Sequence, residues 1–162
     1  MSVRLVLALA LALGVAGCRQ ADGSTPLPTG DQANEVGDIA RDMVNIVNKD
    51  PQAPEDLRSD LAKYGSNAEA VTAINELSRQ VAQGLADARL DDQTAERLAH
   101  TLWVAVTAKE LSARQVDALE REVKAVLASA GVPEDRAQPI ADRLGEVQQT
   151  ITENRRRWYQ FF

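Results

Sequence analysis

LDDQTAERLAHTLWVAVTAKELSARQVDALEREVKAVLASAGVPEDRAQPIADRL, residues 90–144, carries the pattern that decides the fold. Leu90, Leu111 and Val132 stand 21 residues apart, and each precedes a residue suited to open a helix: Asp91, Ser112 and Pro133. The same offset relates Ala95, Val116 and Ala137, then Leu98, Leu119 and Ile140, then Leu102, Val123 and Leu144. Apolar residues three and four apart form one stripe of a helix, with no alternation of the kind a strand needs. Three separate helices are predicted, because Leu111-Ser112 opens one and Gly131-Val132-Pro133 closes it and opens the next. A heptad pattern produces matches at 21 by itself, so the period does not establish a duplication.

The same stripe recurs upstream. Val36, Ile39, Met43 and Ile46/Val47 predict a helix over 32–48, which Asp50-Pro51 ends. A short helix over 54–64 begins with Pro54, Glu55 and Asp56, residues that suit a first turn. Leu57, Leu61 and Tyr64 form its inner face, and Gly65 is its stop. Ser66 and Glu69 are spaced as a capping box for a helix reaching Ala88, with Val71, Ile74, Leu77/Ser78, Val81 and Leu85 inside. Gly84 weakens that helix by roughly 1 kcal/mol relative to Ala. Short connections between such helices imply antiparallel neighbours. The expected fold is all-α, an antiparallel bundle of five or six helices occupying residues 32–162.

Residues 1–17 read as a leader: Arg4, an apolar run from Leu5 to Val15, then small residues. The run stops at Cys18, and Arg19, Gln20 and Asp22 follow, so it is too short for a spanning helix of about 20 apolar residues. Ordinary leader cleavage at Ala16-Gly17 is the rival expectation. Val15-Ala16-Gly17-Cys18 resembles the lipobox of bacterial lipoproteins. That resemblance implies cleavage before Cys18, a diacylglyceryl thioether on its sulfur and an acyl chain on its amine. It also implies the outer membrane, facing the periplasm, since Arg19 stands where inner-membrane members carry Asp. Two acyl chains already hold a protein stably on a bilayer. Residues 18–31, with two prolines and two glycines, have no hydrophobic period and are expected to tether the lipid to the domain.

Charge narrows the partners. Without the leader the chain has 17 Lys and Arg against 24 Asp and Glu, a net charge of −7. Such a balance argues against nucleic acid and against general adhesion to anionic lipid. Cys18 is the single cysteine, so no disulfide supports the fold, which must be held by packing.

Few residues suggest chemistry, and none implies a cofactor. His100 is the single histidine, expected at the surface away from the Leu98/Leu102 stripe, with Glu96 one turn earlier. A metal needs three or four ligands, and no second His or free Cys is present. The acid pairs Asp91-Asp92 and Glu134-Asp135 fall at helix starts, where the dipole favours them. Trp103 is expected at the core edge with its N–H in water. Leu111-Ser112-Ala113-Arg114-Gln115 resembles the LTxxQ motif of Spy/CpxP-like periplasmic proteins, which implies a chaperone or stress role. The same five residues also make a capping box, with Leu111 stapled on Val116.

The stretch Arg155-Arg156-Arg157-Trp158-Tyr159-Gln160-Phe161-Phe162 stands apart, holding four of the six Trp, Tyr and Phe residues in the chain. It continues the helical phase of Ile140, Leu144, Val147 and Ile151. Arg155, Arg156, Arg157, Trp158, Tyr159, Phe161 and Phe162 are also the expected partner-binding residues, since aromatics and Arg anchor interfaces. A basic and aromatic stretch suits a membrane surface as well. The expectation as a whole is a non-enzymatic, lipid-anchored envelope protein that binds another protein or serves in an assembly. A Spy/CpxP-like chaperone or stress sensor is the alternative, and an envelope hydrolase using paired carboxylates is a third.

Overall fold

A computed structural model describes residues 30–159, with the side chains of residues 158 and 159 outside the description. The leader, Cys18 and Phe161/Phe162 lie outside the described residues. Six helices account for the rest: α1 (Asp31–Val47), α2 (Ala53–Ala62), α3 (Ala68–Leu85), α4 (Asp92–Thr107), α5 (Ala113–Ser129) and α6 (Glu134–Tyr159). The protein is an all-α helical bundle, and among the described residues there is no strand. No helix among them is long and apolar enough to cross a membrane.

The three helices of the 21-residue period begin at that spacing. Asp91 caps α4 by accepting the Thr94 N–H at 2.7 Å. Ser112 caps α5 in a full capping box: its oxygen accepts the Gln115 N–H at 3.4 Å, and Gln115 accepts the Ser112 N–H at 2.9 Å. Leu98, Leu119 and Ile140, and Leu102, Val123 and Leu144, all lie in the core. Gly131 closes α5 at φ 78°, with Gly131 and Val132 N–H groups returning to Ala128 and Leu127. The same pair of bonds closes α1, but there Lys49 takes the left-handed position, at φ 66°.

Two helix ends differ from expectation. Asn67, not Ser66, caps α3, accepting the Ala70 N–H at 2.8 Å. Ser and Asn are both good caps, and the register was decided by tertiary contact: Asn154 of α6 donates to the same Asn67 oxygen at 3.2 Å. The helix also stops at Leu85 rather than Ala88, where the chain turns so that Arg89 N–H donates to the Ala130 carbonyl at 2.8 Å.

Packing closes a ring in the order α1, α2, α3, α6, α5, α4 and back to α1, with α4 also touching α6. Thr101 to Val106 of α4 are six consecutive buried residues, so this helix is enclosed on every side there. Neighbours run antiparallel. Asn67 meets Asn154 at one end of the α3–α6 pair, and Gly84 lies under Ile140 at the other. Lys124 meets Gln138 at 3.2 Å, and Glu120 lies on Gly145, in the α5–α6 pair. Gly84 is explained by this geometry: a Cβ there would stand 2.6 Å from the Ile140 Cδ1.

The ends of the bundle can be assigned from ion pairs. Asp87 takes Lys49 at 3.2 Å and Arg136 at 3.6 Å, which gathers the end of α1, the end of α3 and the start of α6. The start of α1, the start of α3 and the last turns of α6 therefore share the opposite end. Trp103, near the end of α4, confirms that placement by bonding to Glu35 in the first turns of α1.

Candidate functional site

α6 organises the described surface. It has 26 residues, about 39 Å at 1.5 Å per residue, against 18 residues and about 27 Å for α3. Its apolar stripe keeps it in the bundle as far as Asn154, which is buried. Beyond that, Arg155 is half-buried and Arg156 and Arg157 are exposed. The stretch thus continues the helix, as its phase predicts, through Tyr159.

The structure does not gather the three arginines on one face. Arg156 lines a groove of about 460 Å³ between α5 and α6, whose floor includes Val116, Glu120 and Gly145. Arg157 lines a groove of about 970 Å³ between α3 and α6, to which α2 adds Arg58. Arg157 pairs with Glu69 at 3.6 Å. The other cations of this second groove are also opposed: Arg58 by Glu55, Arg79 by Glu76 and Arg143 by Glu146. In the first groove burial, with Asp117 and Asp142 nearby, raises the Glu120 carboxyl above its usual range. Both grooves are open and charged, which suits contact with a large partner better than enclosure of a small molecule.

Several buried polar groups escaped the sequence reading. The Trp103 N–H is not in water; Trp103 is 8 % exposed and donates to Glu35 at 3.1 Å. The Tyr64 hydroxyl and the Trp103 N–H beside it, helped by Lys63, hold the Glu35 carboxyl below the usual range. Burial and that carboxylate push the Tyr64 hydroxyl up. His100 is half-buried, not fully solvated, and stacks on Trp103 with ring centres 6.4 Å apart. Gln148, 1 % exposed, donates to the Ala105 carbonyl and to that of Ala108 at 3.2 Å. It closes the end of α4, whose last carbonyls have no helical donor. The glutamine sits one stripe position past Leu144, where the period alone predicts an apolar residue.

Asp42 is the most perturbed acid. It lies on the inner face of α1 at 9 % exposure, and its Oδ2 has no hydrogen-bond partner. Desolvation, then repulsion from Asp60 and Asp56 of α2, raises its carboxyl to about 6. A raised carboxyl is what a general acid needs. Asp42 lines neither groove. Among the described residues no group of three His, Cys, Asp or Glu is placed to hold a metal ion.

Compared with family models, with curated proteins and with solved structures, the chain has no match.

Proposed function

We propose that the protein is a lipid-anchored, non-enzymatic helical module of the bacterial envelope, fastened through Cys18 and engaging another envelope protein along the charged faces that flank α6. The observation that carries this reading is Val15-Ala16-Gly17-Cys18 at the end of the Leu5 to Val15 apolar run, with Arg19 favouring the outer membrane. The fold supports it in two ways. The described residues 30–159 form a helical bundle with a buried core, the kind of domain that a lipid anchor would carry. Its perturbed groups are tied into structure: Glu35 holds the Trp103 indole, and Asp42 is sealed between α1 and α2. The turn Arg155 to Arg157 is a second point of contact, with Trp158, Tyr159, Phe161 and Phe162 following it in sequence.

Growth of producing cells with labelled fatty acid tests the anchor. Label should enter the wild-type protein and be absent from Cys18→Ala, which should leave the membrane fraction. Equal labelling and retention of Cys18→Ala would refute it.

A further inference from the structure

The stretch that leads from Cys18 and the basic turn of α6 belong to the same end of the bundle. Lys49 and Arg136 meet Asp87 at one end, so α1 begins, and α6 ends, at the other. Gly30 stands twelve positions after Cys18. A chain of that length spans at most about 43 Å, and as a coil about 17–21 Å. An anchored Cys18 therefore attaches the lipid at this end of the bundle, within a coil length of the start of α1.

Arg155, Arg156 and Arg157 are consecutive on a helix, so they are spread about 200° around its axis. Arg156 and Arg157 accordingly fall in grooves on opposite sides of α6. A partner docked on one side of α6 meets at most two of them. A plane lying across the helix end meets all three. Lys109 and Arg114, exposed at the α4–α5 turn, and Lys63 lie at the same end; Asp31, Glu35, Asp60, Glu69, Glu110, Asp117 and Glu153 are acids that share it, Glu69 pairing with Arg157. The end as a whole is close to charge balance, but Arg155–Arg157 is the one run of adjacent cations in an acidic chain, so this turn is the part that an anionic surface attracts.

We infer that the Arg155–Arg157 turn of α6 rests on the anionic phospholipid headgroups of the leaflet that the Cys18 acyl chains occupy, giving the module a second, electrostatic point of attachment and a fixed upright orientation. The inference rests on the lipidation reading. Tethering makes the contact intramolecular, so a weak surface affinity suffices. Three basic residues together strengthen attraction to an anionic surface roughly a hundredfold.

The test uses the full lipidated chain, reconstituted into vesicles of phosphatidylcholine alone or with a third phosphatidylglycerol. Quenching of tryptophan by lipids brominated near the headgroup is compared between wild type and Trp158→Phe, and the difference belongs to Trp158. Quenching is expected on the phosphatidylglycerol vesicles, lost at 0.5 M salt and lost in Arg155→Gln/Arg156→Gln/Arg157→Gln, while every variant still floats with the vesicles and keeps its helicity. A chain that floats but shows no such difference, or the same difference without its arginines, overturns the lipid contact and leaves the anchor standing. Protection of Trp158 only when envelope proteins are added overturns it in favour of a protein partner. A chain that fails to float removes the anchor and this contact together.

Discussion

Replacing Asp42 by Asn should make the bundle more stable at neutral pH and remove a pH dependence that runs opposite to ordinary acid denaturation. Asp42 is a carboxyl at 9 % exposure whose Oδ2 has no partner, facing Asp56 and Asp60 across the α1–α2 contact. Arg41 lowers its pKa, but less than burial raises it. Its pKa moves from 3.8 to about 6 in the folded chain. Between those values the folded state holds a proton that the unfolded state has released, so stability falls as pH rises from about 4 to about 6. Above about 6 the penalty is complete. Two pKa units at 1.36 kcal/mol each set it at about 3 kcal/mol.

Asn cannot ionise, so Asp42→Asn lacks that slope. Its amide finds no better partner and costs about 1–3 kcal/mol at all pH values. The informative quantity is therefore the change in the difference between the two proteins. Urea unfolding of the chain from Arg19 onward, measured from pH 4 to pH 8, gives it directly. The variant should gain about 2–3 kcal/mol relative to wild type between pH 4 and pH 7.5. A difference that stays constant across that range would refute the buried-carboxylate argument. Glu35, Asp87 and Asp91 have lowered pKa values and contribute the opposite slope below about 4.5, in both proteins alike.

Two further substitutions test the packing and the caps. Ser112→Ala removes the oxygen that accepts the Gln115 N–H and should cost about 0.5–2 kcal/mol in urea unfolding. A cost near zero would mean that Gln115 alone secures the start of α5. Gly84→Ala should destabilise by about 1–3 kcal/mol despite the better helix propensity of Ala, because its Cβ meets the Ile140 Cδ1 at 2.6 Å. Ile140→Val deletes that methyl, so the double variant should be more stable than the two single costs added together; strict additivity would remove the proposed contact.

Helix number and most boundaries were legible because apolar spacing and end chemistry agreed. Asp91, Ser112 and Gly131 act locally, each bonding within four or five residues, and local partners are present in any sequence window. The misread features depend on residues far apart. Asn67 takes the cap from Ser66 with support from Asn154, 87 residues away. Trp103 loses its water to Glu35, 68 residues away. Gly84 reads as a flaw until Ile140 is placed over it. Periodicity marks which side of a helix faces inward, but it carries no information about which partner waits there. Gln148 and Asp42 show the same limit, polar residues on faces that the stripe assigns to the interior.

The contact residues divide along the same line. That Arg155, Arg156 and Arg157 form a basic run in the last turns of a helix follows from composition and phase. That the cluster shares an end with the start of α1 does not, since it depends on how six helices alternate in direction. Asp87, bridging Lys49 and Arg136, settles the matter: α1 must begin where α6 finishes. With an even number of reversals between them, instead of five, the two would have pointed the same way, and the arginines would stand at the far end from the start of α1. A lipid contact would then require the tether to span the length of the bundle, since the α1 helix alone adds about 25 Å, more than the coil's span of about 17–21 Å. If Cys18 is lipidated, it is the topology, more than the composition of the basic turn, that brings an anionic membrane surface within reach of these arginines.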